Sequence, residues 1–305
     1  MTSIIEYLGI PLIQNMFIGT TLACLLCGVI GTYVVVNRMV AVTGGIAHTT
    51  FGGVGFAYYL MSVFAVSWMT PMIGALIFSL VAAVLMALCK KVDELREDTV
   101  IGSLWAVGMA LGVIFMCYMD RSVIVPSSYE SILFGNMLLI DSTKLLVMGI
   151  MTAVVLSVTA FFYRDLMILT FDRIHAKVSG INTDILDLIL YILIAVTCVM
   201  VANVVGIVMI MALMTIPAAM ANLFSKDLRG TMLLGTFFAV VLSIMGLFLS
   251  LSMDTPPGAT VVLILSAVFV FLLLSKKMMD RHGSRRSERR LTLGYIYDVL
   301  LAPII

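Results

Sequence analysis

The distribution of charge along this chain constrains its fold more than any other feature. From Thr99 to Met119 there are 21 residues without Asp, Glu, Lys, Arg or His. Gly230 to Met253 gives another 24, and Thr255 to Ser275 another 21. A helix needs about 20 apolar residues to cross the hydrocarbon core of a bilayer, so each run fits one span. Leu188 to Ser225 is 38 residues long and Met39 to Cys89 is 51, and each fits two spans. His48 is the only ionisable residue in the longer run. Only 11% of the 305 residues are charged and 62% are hydrophobic. A soluble domain averages roughly 25% charged residues. In lipid, every backbone N–H and C=O must be paired within the segment, which selects helices here. The expected fold is therefore all-α and polytopic.

Nine spans are expected, at about residues 12–36, 42–63, 70–89, 99–119, 145–163, 186–203, 205–224, 231–251 and 257–275. Eight spans with one re-entrant segment is the alternative. The expected division is a transmembrane domain over 1–277 and a basic, then apolar, tail over 278–305. Threaded this way, 16 of the 18 Lys and Arg residues fall on one side, and only Arg121 and Lys144 fall on the other. Positive charge marks the cytoplasmic side. The N-terminus is thus expected outside and the C-terminus inside, in a cell membrane. The outer side carries Glu6, Asp120, Glu130, Asp141 and Asp254. The net charge of +1 and the lack of a basic groove give no sign of nucleic-acid binding.

Four groups of residues carry candidate chemistry. His48 lies between Gly44-Gly45 and Gly52-Gly53. An imidazole at membrane depth is a functional candidate by default, and neutral imidazole is a common metal ligand. The glycines either gap the helix beside a cavity or let backbones approach closely. An inner loop from Arg164 to Ile181 is polar, with Thr170 or Asp172 placed to cap a short helix that Gly180 ends. Such a helix suits docking to a soluble partner. A third stretch joins Asn203 and Gly206, at a tight outer hairpin, to Pro217, which disrupts its own span. Cys24 and Cys27 share one helix face, and packing is the favoured role over metal or redox chemistry. There is no Walker A, H-E-x-x-H or G-x-S-x-G pattern, so no enzyme activity is expected of this chain itself. The span interiors hold no carboxylate, which argues against a self-sufficient secondary transporter.

Read together with Arg96 to Gly102, Ile132 to Leu138 and Asp254 to Ala259, these segments resemble the permease subunits of zinc/manganese/iron-type metal ABC importers. The resemblance covers nearly the whole chain up to about residue 275. It implies a permease acting as a dimer with a second copy or a related permease. It also implies a cytoplasmic ATPase partner and an extracytoplasmic metal-binding protein. No cofactor is implied beyond the transported divalent ion. The segment carrying Phe171, Asp172, Ala176, Ser179 and Gly180 looks like the family's ATPase-coupling region. The family's pathway motif reads Gly-Asp-x-x-Ser-His, then a short run and Pro-Gly. Here His48 matches the His, but Gly44 stands at the Asp, Ala47 at the Ser and Gly52 at the Pro. The lost oxygen donor favours zinc over manganese or iron, or a site completed by Asn203, Asp254 or methionines. A permease for a metal chelate such as a siderophore or cobalamin is the nearest alternative.

Overall fold

A computed structural model describes residues 11–66, 68–90, 97–119, 135 and 140–300, with side chains described as far as Met278. Arg96, residues 132–138 other than Gly135, the outer charges Glu6, Asp120, Arg121 and Glu130, and the basic side chains of the tail lie outside the described residues. The described residues form helices and no strand. In chain order these are α1 (Pro11–Val36), α2 (Val40–Phe64), α3 (Pro71–Cys89), α4 (Glu97–Cys117) and α5 (Ser142–Phe161). There follow α6 (Tyr163–Phe171), α7 (Arg173–Val178), α8 (Thr183–Val205), α9 (Ile207–Phe224), α10 (Leu228–Met253) and α11 (Pro257–Leu300). Two compact units are present, residues 1–265 and 266–305.

Among the described residues, eight helices are long and apolar enough to cross a bilayer. The protein is a multi-pass membrane protein. A further long helix is α2, whose 25 residues include five glycines, four Ser or Thr residues and His48. That composition lowers its hydropathy without breaking it. The expectation of a gapped second span is therefore corrected, because Val40 to Phe64 is one continuous helix. Its glycines serve contact instead. A Cβ at Gly52 would lie 2.7 Å from the Gly108 carbonyl oxygen, and one at Gly55 would lie 2.6 Å from that of Gly112. A Cβ at Gly53 would run into the backbone of Gly74. Helix α2 thus meets α3 and α4 backbone to backbone, and Thr49 Oγ1 donates across to the Leu104 carbonyl at 3.2 Å. Small residues at such crossings let dispersion and close polar contacts operate where lipid supplies no hydrophobic drive.

The other packing follows the same logic. Helix α1 is buried among α8, α9 and α10. Its Cys24 thiol donates to the Ala239 carbonyl at 3.3 Å and to Ser243 Oγ at 3.4 Å. Cys24, Cys27 and Cys198 are all buried and free. Among the described residues there is no group of three His, Cys, Asp or Glu side chains placed to hold a metal. Pro217 lies inside α9, buried, and the helix continues through it to Phe224. A Cβ at Gly235 would sit 3.5 Å from the Ala218 Cα, so α9 and α10 cross closely beside the proline.

Caps set the ends. Thr70 caps α3 ahead of Pro71, and Asn182 caps α8 by accepting from the Ile185 N–H at 3.2 Å. Asp227 caps α10 by accepting from the Gly230 N–H at 2.9 Å. That bond, then one from Ser225, holds the exposed Asp227 carboxyl below its ordinary range. A carboxyl with a depressed folded pKa stabilises above its unfolded pKa and loses that contribution as pH falls through the folded value. The thermal stability of wild type should therefore exceed that of Asp227→Ala at neutral pH. The gap should close as pH drops below about 4, near the unperturbed carboxyl value. Melting curves from pH 7 to 3 would measure it, and a constant gap would contradict the cap's ionic character.

Candidate functional site

His48 lies on α2, and its ring stacks on Trp105 of α4 with centroids 4.2 Å apart and 15° between planes. Its Nδ1 is buried and has no hydrogen-bond partner among the described residues. A buried imidazole nitrogen without a partner costs free energy unless a ligand completes it. Trp105 had no signal in the sequence, because a lone aromatic in an apolar run reads as packing. The position where the resemblance expects a carboxylate is occupied by other side chains. A Cβ at Gly44 would come 2.8 Å from the Met211 methyl and 2.9 Å from the Trp105 ring. Met211 of α9 and Trp105 therefore fill the space on that face of α2, four residues before His48.

Asn203 and Asp254 stand apart from this cluster. Asn203 donates back to the Val199 carbonyl at 2.7 Å and lines a cavity of about 370 Å³ with Thr50, Val54, Tyr58 and Lys144. His48 is not among the residues lining it. Asp254 is the left-handed C-cap of α10, φ 53°, beyond the helix end. Of the proposed completing groups, only a methionine, Met211, is drawn to the Gly44–His48 face.

The inner segment resolves into two helices, and the capping alternative is settled. Asp172 caps α7 by accepting from the His175 N–H at 2.8 Å, whereas Thr170 donates back to the Leu166 carbonyl. Gly180, φ 79°, follows the helix. The Ile181 N–H reaches the Ala176 carbonyl at 3.1 Å and the Gly180 N–H that of Lys177 at 3.2 Å. These paired bonds are the Schellman closure, which needs a residue in the left-handed region at Gly180. Phe171, Ile174 and Val178 are 62%, 77% and 82% exposed. Ile174 and Val178, one turn apart on α7, present an apolar edge, and Phe171 is exposed at the end of α6. Ser179 is exposed, while Ala176 is fully buried and supports the helix from behind.

This segment is tied to the spans on both sides of the α6–α7 junction. Asn37, just after α1, donates to Thr170 Oγ1 at 3.1 Å. Asp187 in α8 accepts from Arg173 Nη2 at 2.8 Å and from Lys90 Nζ, at the end of α3, at 3.3 Å. Asp187 is the fifth residue of α8, near the helix end, with its side chain 10% exposed. Arg38, Lys90 and Arg173 line one cavity with Glu97, Asp98 and Asp187, so these basic residues share one end of the bundle.

The family model described as "ABC 3 transport family" matches residues 9–276. The chain belongs to that family. It is 34% identical over 275 residues to an uncharacterized membrane protein of Synechocystis, covering 90% of this chain and 94% of that one. It is 29% identical over 292 residues to the manganese transport system membrane protein MntC of Halalkalibacterium halodurans, covering 94% and 97%. Its fold matches PsaBC from Streptococcus pneumoniae, solved in complex with Fab, with TM-score 0.77 at 26% identity over 88% of this chain and 93% of that one.

Proposed function

We propose that this chain is the permease subunit of an ABC importer that carries a divalent transition-metal ion into the cell, driven by a separate ATPase. The observation that carries the reading is the exposed apolar edge of α6–α7 on a polytopic bundle of this family. A soluble partner would cover Phe171, Ile174 and Val178, and an ATPase is the partner that an ABC permease requires. The basic end bearing this segment is then cytoplasmic, in keeping with the positive-inside rule. An extracytoplasmic binding protein delivers the ion, and a second permease copy or a relative completes the channel.

Relatives named for manganese support a transition-metal cargo. Gly44 in place of the family carboxylate, with a thioether beside it, favours softer donors and therefore zinc over manganese. His48 is the ligand in this reading.

The test is ATP-dependent accumulation of manganese and zinc in proteoliposomes holding the permease and its ATPase. Ile174→Asp with Val178→Asp is expected to abolish co-purification of the ATPase and all ATP-driven uptake. The bundle itself should melt unchanged, since both side chains face outward. ATPase binding that survives the double substitution would refute the docking surface.

A further inference from the structure

Asp187 is one buried carboxylate shared by cations from two different elements. Arg173 arrives from the first residue of α7, and Lys90 arrives from the end of α3. Both bond the same oxygen, Oδ1, at 2.8 and 3.3 Å. Lys90 also lies 5.8 Å from the ring centre of Tyr191, one turn along α8. Beside the cluster is a cavity of about 120 Å³, also lined by Arg38, Glu97 and Asp98. Arg173 is 43% exposed on its side chain and Lys90 22%, so the more accessible contact is the one carried by α7.

We propose that Asp187 is a positioning residue that couples movement of the α6–α7 segment to the packing of α3 against α8. The proposal rests on the docking reading above. Arg173 and Lys90 compensate one charge in a poorly solvated place. When α7 shifts and carries Arg173 away, Asp187 keeps a single cation, and its attraction to Lys90 and the end of α3 becomes stronger. When α7 returns, the two cations share the oxygen and that attraction relaxes. Withdrawing Arg173 costs one of the two ion pairs to a poorly solvated carboxylate, so the two arrangements differ in energy and a displacement at the surface is felt by two spans. The cavity gives Arg173 room to withdraw. The Asn37–Thr170 bond ties the last turn of α6 to the residue after α1, just ahead of α7.

The assay uses the assembled transporter, permease with ATPase and binding protein, in proteoliposomes with Mn²⁺ as the probe. It reads ATP hydrolysed per ion imported and, separately, ATPase association through a cysteine crosslink at Ile174. Asp187→Asn keeps shape and removes the charge. Lys90→Met removes a cation that is far from the docking edge. Both are expected to raise ATP consumed per ion by about fivefold or more, the size of a typical coupling energy between sites, with the crosslink intact. An unchanged ratio in Lys90→Met with the crosslink formed overturns the latch and leaves docking standing. No crosslink from Ile174→Cys in the otherwise unsubstituted permease overturns docking and the latch with it. If Asp187→Asn fails to assemble, the Lys90→Met ratio alone decides.

Discussion

Substituting Gly53 with valine is expected to force apart a close backbone contact between α2 and α3 and lower the melting temperature in detergent by on the order of 10 °C. The reason is steric. A Cβ at Gly53 meets the backbone of Gly74, and a Cβ at Gly74 meets that of Gly53 and the Ala57 methyl. Backbone atoms cannot rotate away, so relief requires α2 and α3 to separate. Overpacking of this kind costs about 1–3 kcal/mol, and more when backbone must move. The separation would also weaken the paired contacts at Gly52–Gly108 and Gly55–Gly112 along the same helix. Gly102→Ala is the matched control, because nothing lies within 4 Å of a Cβ there. It should melt at or slightly above wild type, as alanine favours helix over glycine by about 1 kcal/mol. Equal melting of Gly53→Val and wild type would show that the α2–α3 contact is looser than these distances require.

Restoring the family carboxylate is expected to change which metal the protein prefers, but only when space is made for it. Gly44→Asp alone places side-chain atoms against Met211 and Trp105, so low expression or loss of uptake is expected. Met211 is the flexible neighbour, since its nearest atom is a terminal methyl at 2.8 Å, whereas Trp105 is held in a stack with His48. Gly44→Asp combined with Met211→Ala should fold, and it puts an oxygen donor four residues from His48 on one helix face. The ratio of manganese to zinc uptake should rise by about tenfold, which corresponds to on the order of 1.4 kcal/mol of differential binding. His48→Ala in the same background should remove uptake of both ions. Uptake that survives His48→Ala would take the imidazole out of the pathway. An unchanged metal ratio in the double variant would mean that selectivity is set elsewhere.

Much of the fold was legible from charge alone. The limits of α1, α3, α4, α9 and α10 follow uncharged runs, because lipid excludes charge and demands internal backbone pairing. The short helix ending at Gly180 was legible too, since Asp172 and Gly180 are the residues that caps select. The continuity of α2 was not legible. Glycine pairs weaken a helix in water, and sequence cannot say whether another backbone lies against them. Nor could the sequence pair Asp187 with Lys90 and Arg173, which are 97 and 14 residues away. Trp105 and Met211, the neighbours of His48 and Gly44, come from helices 55 or more residues along the chain.

By itself the sequence determined that this is an all-helical membrane protein, the approximate limits of its spans, and the absence of the family carboxylate at Gly44. Those properties are local, set by the cost of charge in lipid and by residue identity. Tertiary structure decided what the special residues do. It turned the glycines of α2 into backbone contacts and filled the missing carboxylate's place with Met211 and Trp105. It also gathered one acid and two bases where α7 meets the spans. Such pairings depend on which helices cross, and crossing is decided by packing between segments far apart in the chain.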